Sequence, residues 1–204
     1  LSEDAIIRSR EQRKIAEIYI LKGELENSLI ILNYAEKILK GDSFHDIVEK
    51  VRIYFSRTRI LRIKGDLDGA LKECEKGLSL VNNLEGSKIE GINVKIIKNL
   101  KGKGFQNMGV IFSDKSEYDR AIELYQISLK IFEEIGEIQD IASTIDSLRT
   151  AYYEKGNYEK AIEYSKKLLE ISKKIGDELR TSSAYNSLGN IYYDKGDYNR
   201  AIEL

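Results

Sequence analysis

The chain of 204 residues carries one imidazole, His45, and one thiol, Cys74. A zinc site needs several His, Cys or carboxylate ligands, and a nucleophilic triad needs a histidine oriented by a third group. His45 stands beside Asp46 with no second histidine to join it, so it reads as an exposed residue at a helix start. Cys74 falls among Leu71, Leu78 and Leu80 on an apolar face and reads as a buried small hydrophobe, not a nucleophile. The segment Lys101-Gly-Lys-Gly-Phe-Gln-Asn-Met-Gly109 has glycines but lacks the Gly-x-x-x-x-Gly-Lys-Ser/Thr order of a phosphate loop, and no strand precedes it. Metal, cofactor and catalysis are all unexpected, so the chain does not read as an enzyme.

What remains is recognition chemistry. Val51 to Lys64 contains five basic residues and no acidic one, and Arg52, Arg59 and Arg62 share one helical face. Guanidinium forks on such a face suit a carboxylate, whether a peptide C-terminus or acidic side chains. Asn186 and Asn190, one turn apart, each offer an amide that can both donate to and accept from an extended peptide backbone. The competing reading of any charge run is a solvated helix face.

The elements that must position these groups emerge from self-comparison. Ile191-Tyr-Tyr-Asp-Lys-Gly-Asp-Tyr-Asn-Arg-Ala-Ile-Glu-Leu204 aligns with Ala151-Tyr-Tyr-Glu-Lys-Gly-Asn-Tyr-Glu-Lys-Ala-Ile-Glu-Tyr164, 40 residues earlier, and again with Ile111 to Leu124. Lys64-Gly-Asp-Leu-Asp-Gly-Ala-Leu71 and Lys22-Gly-Glu-Leu-Glu-Asn-Ser-Leu29 are degenerate copies. Each copy predicts helix, tight turn, helix: Ile141, Ile145, Leu148 and Tyr152 recur at helical spacing, Gly156 interrupts, and Tyr158, Ala161, Ile162 and Leu168 resume. Gly23, Gly65, Gly156 and Gly196, with Ser116 once in their place, predict left-handed turn residues. Gly41, Gly136 and Gly176 predict the stops between hairpins, which suits a chain with no proline. The small residues Ser28, Ala70, Ala121, Ala161 and Ala201 belong where the two helices of a hairpin cross most closely, beside Tyr19, Leu61, Phe112, Tyr152 and Tyr192.

These readings place repeats at about 8–42, 46–86, 88–136, 138–176 and 178–204. Ala70 and Ala121 are 51 residues apart, 11 more than the period. Because Ile89, Ile92, Ile96 and Leu100 share a stripe, the excess predicts a lengthened first helix in the third copy, kinked at Gly102 and Gly104, or else a separate short helix ending there.

Tyr185, Leu188, Gly189, Tyr192, Gly196, Tyr198 and Ala201, and in the third copy Phe105, Met108, Gly109, Phe112, Tyr118, Ala121 and Tyr125, stand at the spacing of the tetratricopeptide repeat. The chain resembles that family over nearly its whole length, weakly before residue 60. The 40-residue period is similar to the long-helix variety found in bacterial peptide-sensing regulators, signalling ATPases and kinesin light chains. Arg149 and Thr58 depart from the family's small residue on the first helix. The resemblance implies an all-α fold, a right-handed α-α superhelix or solenoid of about five stacked hairpins, the last one truncated. It also implies a concave groove walled by first helices. On that wall would lie Arg10, Arg13, Glu17 and Ile20; Arg52, Phe55, Arg59 and Arg62; Lys103, Gln106, Val110 and Ser113; Ser143, Asp146, Thr150 and Tyr153; and Ser183, Asn186, Asn190 and Tyr193. The family's use of asparagine against peptide backbone carries over to Asn190, Asn186 and Asn107. The groove is therefore expected to be basic towards its N-terminal end and neutral to acidic beyond.

The function expected is a protein-interaction module that holds a peptide or a partner's helix, with acidic or C-terminal carboxylate groups, as one part of a larger signalling or regulatory protein. The alternative is a ligand- or signalling-peptide-sensing domain that changes superhelix shape to control an attached effector. Nearly balanced charges, 33 basic and 34 acidic, disfavour nucleic acid as partner. The apolar runs are too short to cross a bilayer, and a lone cysteine suits a reducing, cytoplasmic setting. Leu1 at the start and an amphipathic pattern still running at Leu204 read as a fragment, whose uncovered end predicts end-to-end association.

Overall fold

A computed structural model describes residues 2–85 and 92–203. Among the described residues there are ten helices and no strand: α1 (Ser2–Leu21), α2 (Leu25–Ile38), α3 (Phe44–Ile63), α4 (Leu67–Glu85), α5 (Val94–Asp114), α6 (Tyr118–Ile135), α7 (Ile138–Glu154), α8 (Tyr158–Ile175), α9 (Glu178–Asp194) and α10 (Tyr198–Ile202). Within the units α1 pairs with α2, α3 with α4, α7 with α8 and α9 with α10 as antiparallel hairpins joined by tight turns, the all-α helical-repeat solenoid class.

One hydrogen-bond device makes all five turns. The residue after the turn glycine donates its N–H back to the carbonyl of the large residue on the first helix: Glu24 to Tyr19, Asp66 to Leu61, Glu117 to Phe112, Asn157 to Tyr152 and Asp197 to Tyr192, each at 2.8–2.9 Å. The bond requires a left-handed residue between, and Gly156 supplies it at φ 79°. Ser116 adopts φ 61° in the same place, the single non-glycine at positive φ among the described residues. The small residues sit at the crossings as expected: Ser28, Ala70, Ala121 and Ala161 are fully buried, and the Ser28 hydroxyl donates to the Ala16 carbonyl at 2.9 Å.

The stops between hairpins divide. Gly136 and Gly176 cap α6 and α8 at φ 70°. Gly41 does not cap α2: that helix ends at Ile38 with Leu39 in extended backbone. A Cβ on Gly41 would lie 2.5 Å from Asp46 Oδ2. Gly41 is there to clear the carboxylate of the next helix's capping box, in which Ser43 Oγ accepts from Asp46 N and Asp46 Oδ2 accepts from Ser43 N.

The third copy has the lengthened first helix expected of it. Its first helix begins at Val94, capped by Asn93 Oδ1 accepting from Ile96 N at 3.1 Å, and is four residues longer than α7 or α9. It runs as one helix through Gly102 and Gly104, both buried. A Cβ on Gly104 would meet Leu78 at 2.3 Å and the Phe55 ring at 3.2 Å. The expected placement of Ile89 lies outside the described residues.

The described chain forms two compact units. The first runs to Ile111 and the second starts at Phe112. In the first, Ala16, Ile20, Leu32 and Ala35 of α1 and α2 pack on Ile53 and Ile60 of α3, while Phe44, Val48 and Val51 pack on Val81, Leu84, Ile97 and Leu100. Cys74 is wholly buried with Ala70, Leu78 and Ile111, and burial pushes its thiol up to about 12. In the second unit Phe132, Ile141, Ala142, Ile145, Leu168 and Ala184 form a core drawn from α6, α7, α8 and α9. No described helix is long and apolar enough to cross a membrane.

Candidate binding cleft

Within the first unit, α3 and α5 flank a cleft of about 440 Å³. That volume falls in the usual range for ligand sites. From α3 come Phe55, Ser56, Thr58, Arg59 and Arg62; from α5, Lys103, Gln106, Asn107 and Val110; from α1, Glu17. Eight of the residues expected on the groove, Glu17, Phe55, Arg59, Arg62, Lys103, Gln106, Asn107 and Val110, thus share one cavity. The helical period explains the grouping, because positions three and four apart on each helix face the same side. The floor is shaped by glycine: a Cβ on Gly77 would stand 2.7 Å from the Phe55 ring, so that position must be bare for the ring to lie flat against α4.

Arg52 is not in this cavity. It is drawn to Glu49 Oε2 at 3.4 Å, and Glu49, almost wholly buried, also accepts from Arg13 Nε at 2.6 Å. Ile20, expected on the open face of α1, is in the core instead.

The basic run of α3 is answered by acids from elsewhere in the chain. Arg57 Nη2 lies 2.6 Å from Glu36 Oε2 of α2, and Nη1 lies 3.6 Å from Glu73 Oε2 of α4. Arg59 Nη1 donates to Glu17 Oε2 at 2.9 Å, and Lys64 Nζ to Glu26 Oε1 at 2.5 Å. Tyr54 donates its hydroxyl to Glu36 Oε1 at 2.8 Å. Burial first, and then this bond to a carboxylate, push the Tyr54 phenol up to about 12. Burial works to raise Glu36, but the bonds from Tyr54 and Arg57 outweigh it and leave its carboxyl below the ordinary value. None of these acids is visible as a partner in the local sequence, since each lies 16 to 42 residues from its cation. Ser56 did carry a local signal: it is three residues before Arg59, one helical turn away on the same face.

The remaining expected residues belong to the second unit. Asp146 is held by Arg149 Nη2 at 2.7 Å, and Thr150 Oγ1 donates to the Asp146 carbonyl at 3.1 Å. Tyr153 donates its hydroxyl to Asp194 Oδ2 at 2.5 Å, and that bond raises its pKa. Asn186 and Asn190 are exposed on α9, and Tyr193 is exposed with its ring edge-on to Tyr198 at 5.4 Å. His45 is exposed at the second position of α3, its ring edge-on to Phe44 at 5.5 Å. Among the described residues no group of three or more His, Cys, Asp or Glu is placed to hold a metal ion.

Two family models, each described as tetratricopeptide repeat, match residues 140–204 and 105–131. No curated protein matches the chain. Among solved structures it is similar to BtubC (BKLC) from P. vanneervenii, with a TM-score of 0.74 at 17% identity over 98% of this chain and 85% of that one. It is similar, with a TM-score of 0.79 at 21% identity, to a signal transduction ATPase with numerous domains (STAND) with a tetratricopeptide repeat sensor, from Pyrococcus horikoshii; 94% of this chain and 27% of that one are covered. A Rap protein complexed with competence and sporulation factor gives a TM-score of 0.75 at 16% identity over 96% of this chain and 51% of that one. The chain therefore spans about a quarter of the STAND protein and half of the Rap protein. From the hairpin fold, the recurring turn device and the two family matches together, the chain is a tetratricopeptide-repeat protein.

Proposed function

We propose that this chain is a protein-interaction module that takes an extended peptide or a partner's helix bearing carboxylate groups into the cleft between α3 and α5, within a larger signalling or regulatory protein of the cytoplasm. Tetratricopeptide repeats are in general interaction modules and not catalysts. The observation that carries the reading is the convergence of Arg59, Arg62 and Lys103 with Gln106 and Asn107 around one cavity. Guanidinium and ammonium groups answer carboxylates, while the two amides can bond the peptide units between them. Selection of random dodecapeptides on the immobilised chain tests it. The selected peptides should be enriched in Asp and Glu, and the Arg59→Ala and Arg62→Ala variants should each bind them about tenfold more weakly, the loss of one charge-assisted hydrogen bond. Undiminished binding by both variants would place the partner elsewhere.

A second reading, a sensor that changes superhelix shape on binding a ligand or signalling peptide, is favoured by one feature of the second unit. Exposed polar bonds tie α7 to α9, Tyr153 to Asp194 at 2.5 Å and Arg180 Nη1 to Gln139 Oε1 at 3.1 Å. Such solvated links can break and re-form at little cost when neighbouring hairpins rotate.

A further inference from the structure

We propose that Glu17 is a resident carboxylate occupying the anion-recognition position of the α3–α5 cleft, and that an acidic ligand enters by displacing it. The inference rests on the peptide-binding reading above. Glu17 Oε1 accepts from Ser56 Oγ at 2.6 Å, and Oε2 accepts from Arg59 Nη1 at 2.9 Å. Each oxygen thus has its own donor, which is the two-point recognition an incoming carboxylate would need. Both donors come from one turn of α3, whereas Glu17 reaches them from α1, 39 and 42 residues away. Donor pair and acceptor are therefore on separate elements, and the acceptor can leave without unmaking the site.

Exposure decides which of the α1–α3 ion pairs can open. The Arg13–Glu49 pair has side chains 18% and 1% exposed, and breaking it would strand a buried charge. The Arg59–Glu17 pair has side chains 47% and 32% exposed, so water solvates both partners once they separate. Among the described residues Glu17 is also the single acidic side chain lining the cleft, beside Arg59, Arg62 and Lys103. Its departure raises the local positive charge by one at the moment an acidic ligand arrives. A neutral ligand gains nothing from the exchange, so Glu17 makes the cleft select for acidic ligands able to outcompete it.

Fluorescence anisotropy with two labelled octapeptides, (Glu-Ala)4 and (Gln-Ala)4, tests this on the purified chain at fixed ionic strength. Glu17→Gln retains a hydrogen-bond acceptor for Ser56 and removes the charge. It should raise affinity for (Glu-Ala)4 about threefold to tenfold and leave (Gln-Ala)4 unchanged, with the melting temperature recorded to confirm the fold. Adding Arg59→Ala should abolish the gain. If the wild-type chain binds (Glu-Ala)4 and Glu17→Gln binds it no better, Glu17 is only a clamp between helices and the inference fails while the cleft reading stands. An equal gain for both peptides would likewise overturn it, since no charge competition would be involved. If neither protein binds (Glu-Ala)4, the acidic-peptide reading and the displacement fail together.

Discussion

Arg57 shows how a single residue can lock two repeats in register. It occupies the position eight before the turn residue, which in the fourth and fifth copies is Leu148 and Leu188, both in the core. Here a guanidinium stands in that apolar slot, 9% exposed, with Glu36 on one side and Glu73 on the other. The match is imperfect: Arg57 Nε and Glu73 Oε2 are buried without a hydrogen-bond partner. Such an arrangement contributes little net stability but is costly to break from one side. Arg57→Ala is expected to destabilise the chain by about 3 kcal/mol, the low end for a broken buried pair because Glu36 is partly solvated. Urea unfolding measures it. The penalty should be full at neutral pH and shrink in acid. Glu36 has its folded pKa below the ordinary 4.5, so the stability it contributes is present above about 4.5 and is lost as pH falls through the folded value. Once Glu36 is protonated, the missing arginine no longer strands its charge. An unchanged urea midpoint at pH 7 would mean that the two glutamates find other partners.

At the scale of the element, the turn is the unit that repeats, and its one exception is testable. Ser116 holds φ 61° where the other four copies have glycine. A side chain in the left-handed region costs about 1–2 kcal/mol, and the extra freedom of an unfolded glycine takes back about 0.4–1 kcal/mol. Ser116→Gly should therefore stabilise the chain by about 0.5–1 kcal/mol, seen as a higher melting temperature; a lower one would mean that Ser116 makes a stabilising contact. The same elements show what was legible beforehand. Turn glycines, crossing alanines and the aromatic position are short-range features with one physical cause each, so the alignment of copies found them. Gly41 misled because two different demands, a left-handed stop and a bare Cα beside Asp46, select the same residue. Gly104 is accounted for by close packing against Leu78 and Phe55, a demand that selects glycine as readily as a kink does. In the cleft, Arg59, Arg62, Lys103 and Gln106 followed from helical spacing, and Asn107 from the family resemblance. Glu17 was placed on the same wall, but its pairing with Arg59, and the counter-charges Glu36 and Glu73, did not follow, because these acids reach α3 from helices whose approach only the folded packing determines.

For the whole molecule the decisive comparison is between copies at one register position, five residues before the turn residue. Ile60, Ile111, Ala151 and Ile191 are buried there at 0–1% exposure, whereas Ile18 of the first copy is 53% exposed. Ile15, Leu21, Ile30 and Tyr34 are exposed on the same hairpin, as are Tyr198 and Ile202 on the last. In a repeat protein each hairpin is covered only by its neighbours, and solubility depends on polar outer faces at the ends. Here both terminal hairpins carry uncovered apolar side chains, and a net charge of −1 offers little repulsion between molecules. Contacts between unlike faces do not close into a dimer but add units in line. We propose that these 204 residues self-associate through their exposed apolar side chains with rising concentration, measurable by sedimentation velocity from about 10 to 500 μM, with a weight-average mass that climbs without a plateau at twice the monomer. An apolar contact is not screened by salt, so 0.5 M NaCl should leave the association in place or strengthen it. Ile18→Gln together with Leu21→Gln, which add no charge beside Glu17, should return the chain to monomer while leaving (Glu-Ala)4 affinity at the cleft intact. A wild-type chain that stays monomeric at the highest concentration would show that these side chains are too dispersed to form a joint.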